Sequence, residues 1–260
     1  MKRIPIGLEL YSVREDFARD PAGTLQAVKA MGYEGVEFAG PPALSGQALR
    51  RLLDENGLAC CGWHTPFAAV QPGTLTDTIA LNREVGNRYI VVPGLPAEKT
   101  RTRADWLAMA AFFSGLAATL ADEGMHVGYH NHSSEFKPLA EGEEAAWDVL
   151  FGHADRRVVA QLDTGNALCG GGDCAALLAR YPGQGKSIHL KPFRRVPAGS
   201  DVNAGFRPLI GDDSVPWNDV FRLCDTVAGT QWFVVEYESD AHAPLKAVEL
   251  CLQRLRAMGR

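Results

Sequence analysis

The sequence predicts an α/β protein built as a single (β/α)8 TIM barrel over residues 1–260. Eight short apolar runs rich in β-branched residues alternate with helix-like stretches along the whole chain. Barrels of this type have about 250 residues, which matches a chain of 260 residues. A doubly wound open sheet is the alternative. The G-x-G-x-x-G turn that would favour an open sheet does not follow the first predicted strand.

The predicted strands are short, and several are nearly continuous apolar runs, as expected when helices cover a sheet. They are Ile4–Leu10, Gly35–Phe38, Leu58–His64, Arg88–Val92, His126–Asn131, Val158–Leu162, Ser187–Lys191 and Trp232–Glu236. The predicted helices between and after them are Pro21–Met31, Ser45–Glu55, Leu75–Val85, Arg103–Glu123, Glu143–Phe151, Asp173–Arg180, Trp217–Val227 and Ala243–Met258. Asp20 before Pro21 is a favourable helix start, and Ser45 is another. Gly32 and Gly57 are favourable helix ends.

The composition and charge argue against several classes of protein. Hydrophobic residues make up 46% and charged residues 22% of the chain, which is typical of a globular protein in water. The net charge of −5 argues against sequence-independent binding to nucleic acid or to an anionic membrane. The N-terminal residues do not form a secretion signal, and none of the six cysteines forms a C-x-x-C pair. We therefore expect a cytoplasmic protein without a nucleic-acid or membrane partner, whose cysteines are reduced and mostly buried.

Chemically active residues lie at the ends of the predicted strands, where barrel enzymes build their active sites. In chain order they are Glu37, His64, His130, His132, Glu135, Asp163, His189, Lys191 and Glu236. A set of carboxylates and imidazoles facing the barrel interior would be costly to bury without a positive partner. A divalent cation is the simplest such partner, and oxygen and nitrogen donors suit Mn²⁺, Mg²⁺, Co²⁺ or Zn²⁺.

These residues belong to motifs that run from the first strand to the last. The motifs are Leu8-Glu9-Leu10-Tyr11-Ser12-Val13-Arg14, Gly35-Val36-Glu37, His64-Thr65-Pro66, Gly128-Tyr129-His130-Asn131-His132 with Glu135-Phe136, Leu162-Asp163-Thr164-Gly165-Asn166, His189-Leu190-Lys191 and Glu236. In this order the chain resembles the sugar phosphate isomerase/epimerase family. These xylose isomerase-like TIM barrels include tagatose 3-epimerase, hydroxypyruvate isomerase and inosose dehydratase.

The resemblance implies one divalent ion, with Mn²⁺ favoured, bound by Glu135, Asp163, His189 and Glu236. Glu135 falls just past its strand, so His130 or His132 is the alternative ligand there. Substrate contacts are expected from His64, His130, His132, Lys191 and Glu37. Alternatively, Lys191 is a structural partner of Glu236 or Asp163. Glu37 could instead hold in position the residues that contact the substrate.

The implied reaction is proton transfer beside a carbonyl of a small sugar or polyol-derived substrate, through an enediolate, with Glu135 and Glu236 as the acid–base pair. The resemblance therefore predicts an isomerase or epimerase. Alternatives are a dehydratase or lyase acting on a keto-sugar or keto-glycoside, and a non-catalytic metal-bearing sugar-binding subunit. The barrel also resembles endonuclease IV, but Asn166 stands where that enzyme has a further histidine. A homo-oligomer is left open.

Overall fold

The computed structural model describes residues 3–42, 44–140, 142 and 144–260. Eight parallel strands form one sheet in the order β6-β5-β4-β3-β2-β1-β8-β7. They are β1 Ile6–Glu9, β2 Gly35–Ala39, β3 Ala59–His64, β4 Tyr89–Val92, β5 His126–His130, β6 Val159–Gln161, β7 Ser187–Leu190 and β8 Trp232–Val235. Each of the eight predicted strands is present, shortened or shifted by one or two residues at its ends.

The last gap of the barrel lies between β6 and β7. These strands do not form a regular ladder, but Asp163 and His189 form an isolated parallel bridge just beyond β6. The backbone nitrogen of His189 donates to the carbonyl oxygen of Leu162 at 2.9 Å. The sheet is therefore a nearly closed barrel with helices around it, which confirms the predicted fold class.

Ten α-helices are found among the described residues. They are α1 Arg14–Arg19, α2 Pro21–Met31, α3 Gly46–Asn56, α4 Leu75–Val85, α5 Arg103–Ala121, α6 Ala146–His153, α7 Thr164–Cys169, α8 Cys174–Arg180, α9 Trp217–Thr226 and α10 Pro244–Ala257. The predicted helix starts are confirmed, because the Asp20 side chain accepts from the backbone of Gly23 and Ser45 accepts from that of Ala48. Gly32, with φ of 103°, ends α2 in the left-handed region.

Two helices were not predicted from the sequence, α1 and α7. Both have six residues, too few for a helical hydrophobic period to be recognised. For α6, the predicted first residue, Glu143, lies outside the described residues.

The core fills the barrel and the layer between sheet and helices. One helix, α5, is long and apolar enough to cross a membrane by length and composition alone. It packs instead against β5 and α6, with residues such as Trp106, Phe113 and Leu120 buried. Buried core helices pass the same test of length and composition, so this result is weak evidence for a membrane span.

Candidate active site

A cavity of about 1090 Å³ opens at the end of the barrel where the strands terminate. Its floor includes Glu9, His64, His130 and Glu236, each the last residue of a strand or the first one after it. Parallel strands bring their carboxyl ends to the same face of a barrel, so these residues meet although they are far apart in sequence. The size is at the upper end of the range for small-molecule sites.

Four buried side chains at this floor are arranged as a metal site would be. His130, Asp163, His189 and Glu236 each offer one ligand atom, and these four atoms all lie within 4.8 Å of one another. They come from four successive strands, β5 to β8, or from the residue or two just beyond them. Asp163 and His189 are fully buried, while His130 and Glu236 line the cavity.

Hydrogen bonds from neighbouring groups orient these four side chains. The Asp163 carboxylate accepts from the backbone of Asn166 at 2.7 Å and from its side-chain amide at 3.1 Å. His189 bonds through Nδ1 to Glu236 at 2.7 Å and through Nε2 to Glu37 at 2.5 Å. Asn166 and Glu37 therefore orient Asp163 and His189 from outside the cluster, as the outer partners of metal ligands do.

A second polar network lies on the β1–β3 side of the floor. His64 Nδ1 lies 2.8 Å from Glu9 Oε1, and His64 Nε2 lies 2.7 Å from Gln161 Oε1. The Gln161 amide nitrogen donates to Glu37 at 2.9 Å and to Ser187 Oγ at 3.1 Å. The other Glu9 oxygen, Oε2, is buried without a hydrogen-bond donor. His189 Nδ1 lies 3.5 Å from this oxygen.

Lys191 joins the floor to the rim. Its ammonium group donates to Glu236 at 2.7 Å and also pairs with Glu238. The lysine is buried, whereas the Glu238 side chain is 34% exposed. The buried lysine offsets part of the charge of the two carboxylates, and it stands where it can reach a bound oxygen.

The pKa values of these groups reflect burial opposed by charge. Burial alone would lower the pKa of His64, but the carboxylates of Glu9 and Glu37 outweigh it and raise that pKa to about 9. Burial raises the pKa of Asp163 and lowers that of His130. Burial also raises the pKa of Glu238 to about 7, with its hydrogen bond to Glu236 contributing. Perturbations of this kind are concentrated at functional sites.

The donor set fits a divalent ion. Two carboxylates and two imidazoles form a mixed oxygen and nitrogen set, which suits Mn²⁺, Co²⁺ or Zn²⁺. The carboxylates of Asp163 and Glu236 are nine-tenths or more buried, and burial of acidic groups is expensive unless a cation shares the space. The residues present are therefore able to hold the ion that the sequence predicts.

The sequence matches a known family of barrel proteins over most of its length. The sequence model of xylose isomerase-like TIM barrels matches residues 25–258. The chain belongs to this family. The chain is similar to the rhizopine catabolism protein MocC of Rhizobium meliloti. That relative is 25% identical over 249 residues, covering 83% of this chain and 74% of the relative. Inosose dehydratase of Geobacillus thermodenitrificans is 25% identical over 239 residues, covering 80% of this chain and 79% of the relative.

Solved structures agree on the fold. A sugar phosphate isomerase/epimerase from Parabacteroides distasonis superimposes with a TM-score of 0.81 at 21% identity, covering 99% of this chain and 95% of that one. L-ribulose 3-epimerase superimposes with a TM-score of 0.70 at 16% identity, covering 98% of this chain and 94% of that one. At such identities the likeness concerns the fold. The family assignment confirms the resemblance drawn from the sequence.

Glu135 lies outside the cluster of potential ligands in this xylose isomerase-like barrel. Its Oε1 accepts from the Tyr129 hydroxyl at 2.7 Å, and its Oε2 accepts from the His132 backbone at 3.1 Å and the Ser134 hydroxyl at 2.9 Å. It lines a separate cavity of about 280 Å³. In the cluster, His130 stands where the sequence favoured Glu135. The exposed His132 side chain lines both cavities.

Of the other predicted residues, His64 and Lys191 line the large cavity, whereas Glu37 lies beneath it and contacts His189 and Gln161. Sequence reasoning missed Glu9, Gln161 and Glu238 as parts of the site. The signal was available for all three. Each is the last residue of a strand or follows closely after one, the rule that identified the others.

Proposed function

We propose that this protein is a divalent-metal-dependent enzyme that moves a proton beside a carbonyl group of a sugar or sugar-derived substrate, as an isomerase or epimerase. The observation that carries the proposal is the buried cluster of His130, Asp163, His189 and Glu236 at the floor of the large cavity. A family match over most of the chain supports it. Relatives that are sugar epimerases or inosose dehydratases favour carbonyl chemistry on a small polyhydroxylated substrate.

The four cluster residues would hold the ion. When bound, it would act as a Lewis acid that polarises the substrate carbonyl and stabilises the negative charge that develops on proton removal. Two imidazoles in the set favour Mn²⁺, Co²⁺ or Zn²⁺ over Mg²⁺, which prefers oxygen ligands. We retain Mn²⁺ as the first ion to test. Glu135 is the alternative ligand that the resemblance implies.

The chain's own residues would bind the substrate and move the proton. Lys191 lines the cavity and would donate to a substrate oxygen. His64 has both ring nitrogens engaged by Glu9 and Gln161, so it would hold Glu9 in position for the substrate. Glu9 lines the cavity, and its carboxylate would accept from a substrate hydroxyl. Glu236 lines the cavity and is the carboxylate proposed to take the proton. The second carboxylate of the pair is Glu135 by resemblance and Glu238 by its place on the cavity wall.

The test is solvent isotope exchange. The Mn²⁺-loaded protein is incubated with a panel of ketoses, aldoses and keto-inositols in D₂O, and deuterium on the carbon beside the carbonyl is followed by NMR. We expect incorporation with at least one substrate, and a loss in kcat of about 10²–10⁴-fold for Glu236→Gln. The exposed Glu249→Gln serves as a matched control. Glu135→Gln and Glu238→Gln then identify the second group.

Two results would overturn the proposal. One is turnover with no solvent deuterium in the product, which would indicate a direct hydride shift. The other is binding of sugars without exchange or turnover by the purified chain, which would favour a non-catalytic sugar-binding subunit.

A dehydratase is the second candidate, and the similarity to inosose dehydratase over 80% of the chain favours it. Both reactions begin with removal of the same proton. In a dehydratase the β-hydroxyl group then leaves with its bonding electrons, together with a proton, as water. Mass spectrometry distinguishes the two, because the product of dehydration is lighter by one water and the product of epimerisation is unchanged in mass.

A further inference from the structure

The two walls of the large cavity differ in chemistry. The wall built by the segments after β2, β3 and β4 is apolar, and its members include Pro66, Phe67, Pro93, Leu95 and Pro96. Three of these five are prolines, which have no backbone N–H to donate. Tyr11, after β1, also lines the cavity and is 42% exposed.

The opposite wall is mostly polar. It is built by the segments after β7 and β8 and includes Lys191, Asp201, Asn203, Glu238 and Asp240, with Ala204 and Phe206 as its apolar members. Together with Glu9 on the floor, the polar side chains supply donors and acceptors for the hydroxyl groups of a sugar ring. A sugar bound at the floor against this wall would leave the apolar wall uncovered.

The apolar wall is held in place by packing. The Phe67 ring lies 5.3 Å, centroid to centroid, from the ring of Phe112. Pro66 precedes the 3-10 turn Phe67–Val70 and fixes its entry. Phe67 and Leu95 are half-buried and pack against the core, so each presents part of its surface to the cavity. The surface is therefore formed before any ligand binds.

Size and polarity together indicate what this wall accepts. A cavity of about 1090 Å³ is large enough for a drug-sized ligand of two rings. A second sugar ring placed on the apolar wall would lose water from its hydroxyls and find few donors in return. An aromatic group there would lose nothing polar and would bury apolar surface.

We propose that the substrate carries an aromatic substituent, so that the sugar ring binds at the floor and an aryl aglycone binds against the apolar wall of Pro66, Phe67, Pro93, Leu95 and Pro96. This deepens the proposed function and rests on it for the placement of the sugar ring. The proposed substrate is then an aryl glycoside or its keto derivative. A free monosaccharide at the floor would leave the apolar wall uncovered.

The test uses equilibrium binding, which needs no turnover. Isothermal titration calorimetry is run on the Mn²⁺-loaded protein with methyl and phenyl β-glycosides of glucose, galactose, mannose and xylose, and with cellobiose. For at least one sugar, we expect the phenyl glycoside to bind at least about tenfold more tightly than the methyl glycoside, from burial of the added ring. Cellobiose is expected to bind more weakly than phenyl glucoside.

Substitutions in the apolar wall test whether it causes the preference for the phenyl glycoside. Phe67→Ala and Leu95→Ala are each expected to bring the phenyl-to-methyl affinity ratio close to one, while Phe67→Leu keeps part of it. Met258→Ala, at an exposed apolar side chain on α10's C-terminal side, is the matched control and should keep the ratio. Thermal melts establish that each variant is folded.

Equal affinities within every pair, binding of none of the ligands, or tighter binding of cellobiose than of phenyl glucoside would overturn the aryl proposal. So would a preference that survives both alanine variants. Failure of the proposed function is separate, because it appears as absence of bound metal or of isotope exchange and leaves the affinity ratio measurable.

Discussion

Gly62 makes room for a buried acid beneath the active site. Gly62 pairs with Glu37 across the β2–β3 ladder. A side chain at position 62 would point into the space that the Glu37 side chain occupies. A Cβ atom built on Gly62 would lie 2.0 Å from Glu37 Oε1 and 2.8 Å from its Cδ. We therefore expect Gly62→Ala to destabilise the protein and to displace Glu37.

The size of the effect follows from how Glu37 is held. A carboxylate at the end of a flexible side chain could ordinarily move aside at little cost. Glu37 is fully buried, accepts from Gln161 at 2.9 Å and bonds to His189 at 2.5 Å. Overpacking costs about 1–3 kcal/mol, and loss of a hydrogen bond to a buried charged group costs about 1.5–3 kcal/mol. Since relaxation relieves part of each, we expect a loss of about 3 kcal/mol in the free energy of unfolding, or about 6–12 °C in Tm.

The assay is urea unfolding of the metal-free protein, followed by circular dichroism. Gly115→Ala is the control, because Gly115 lies inside α5 with no atom within 4 Å of its added Cβ. It is expected to raise the free energy of unfolding by up to about 1 kcal/mol through helix propensity. A double-mutant cycle adds Glu37→Ala, which removes the clashing group.

The double-mutant cycle measures how much of the cost of Gly62→Ala comes from the clash with Glu37. In the Glu37→Ala background, Gly62→Ala is expected to cost little, because the new methyl group occupies space that the carboxylate left. Equal stability of Gly62→Ala and the unmodified protein would refute the argument. An unchanged cost of Gly62→Ala in the Glu37→Ala background would refute it as well.

Two further predictions concern buried groups. Lys191→Met removes one of the two buried partners of the Glu236 carboxylate, leaving His189, and is expected to lower the free energy of unfolding of the metal-free protein by about 1.5–3 kcal/mol. The exposed pair at Lys246 is the control, where the same change costs under about 1 kcal/mol by urea unfolding; similar losses at both positions would contradict the argument. Burial raises the pKa of the Cys60 thiol to about 12, so a thiol reagent at pH 8 should label Cys169, the half-buried cysteine, before the others. Mass mapping of a short labelling reaction checks the order, and rapid labelling of Cys60 in the native protein would contradict it.

Much of the fold could be predicted because hydrophobic patterns persist over whole elements. The eight strands are apolar runs, and α2 and α4 have the predicted bounds because proline, glycine and helical periodicity mark their limits. The six-residue helices α1 and α7 could not be predicted, because a single turn and a half contains no recognisable period. The start of α7 is a local cap, in which the Asp163 side chain accepts from the Asn166 backbone, and this favourable helix start was present in the sequence.

The site was predictable as far as the rule of strand ends reaches. That rule brings His64, Asp163, His189, Lys191 and Glu236 to one cavity floor, and the structure places them there or directly beneath it. The choice between His130 and Glu135 could not be made from the sequence. It depends on how the chain turns after β5, where a short 3-10 turn directs Glu135 toward the Tyr129 hydroxyl and away from the cluster.

The proposed metal site consists of His130, Asp163, His189 and Glu236, which we expect to bind one divalent ion. Elemental analysis after Mn²⁺ loading and gel filtration measures this binding, with the unmodified protein compared with His130→Ala, Asp163→Ala, Glu135→Ala and the exposed control Asp219→Ala. We expect about one equivalent of metal in the unmodified protein, Glu135→Ala and Asp219→Ala, and strong loss in His130→Ala and Asp163→Ala. Full metal content in Asp163→Ala would contradict the site, and loss in Glu135→Ala with retention in His130→Ala would replace His130 by Glu135 as its ligand.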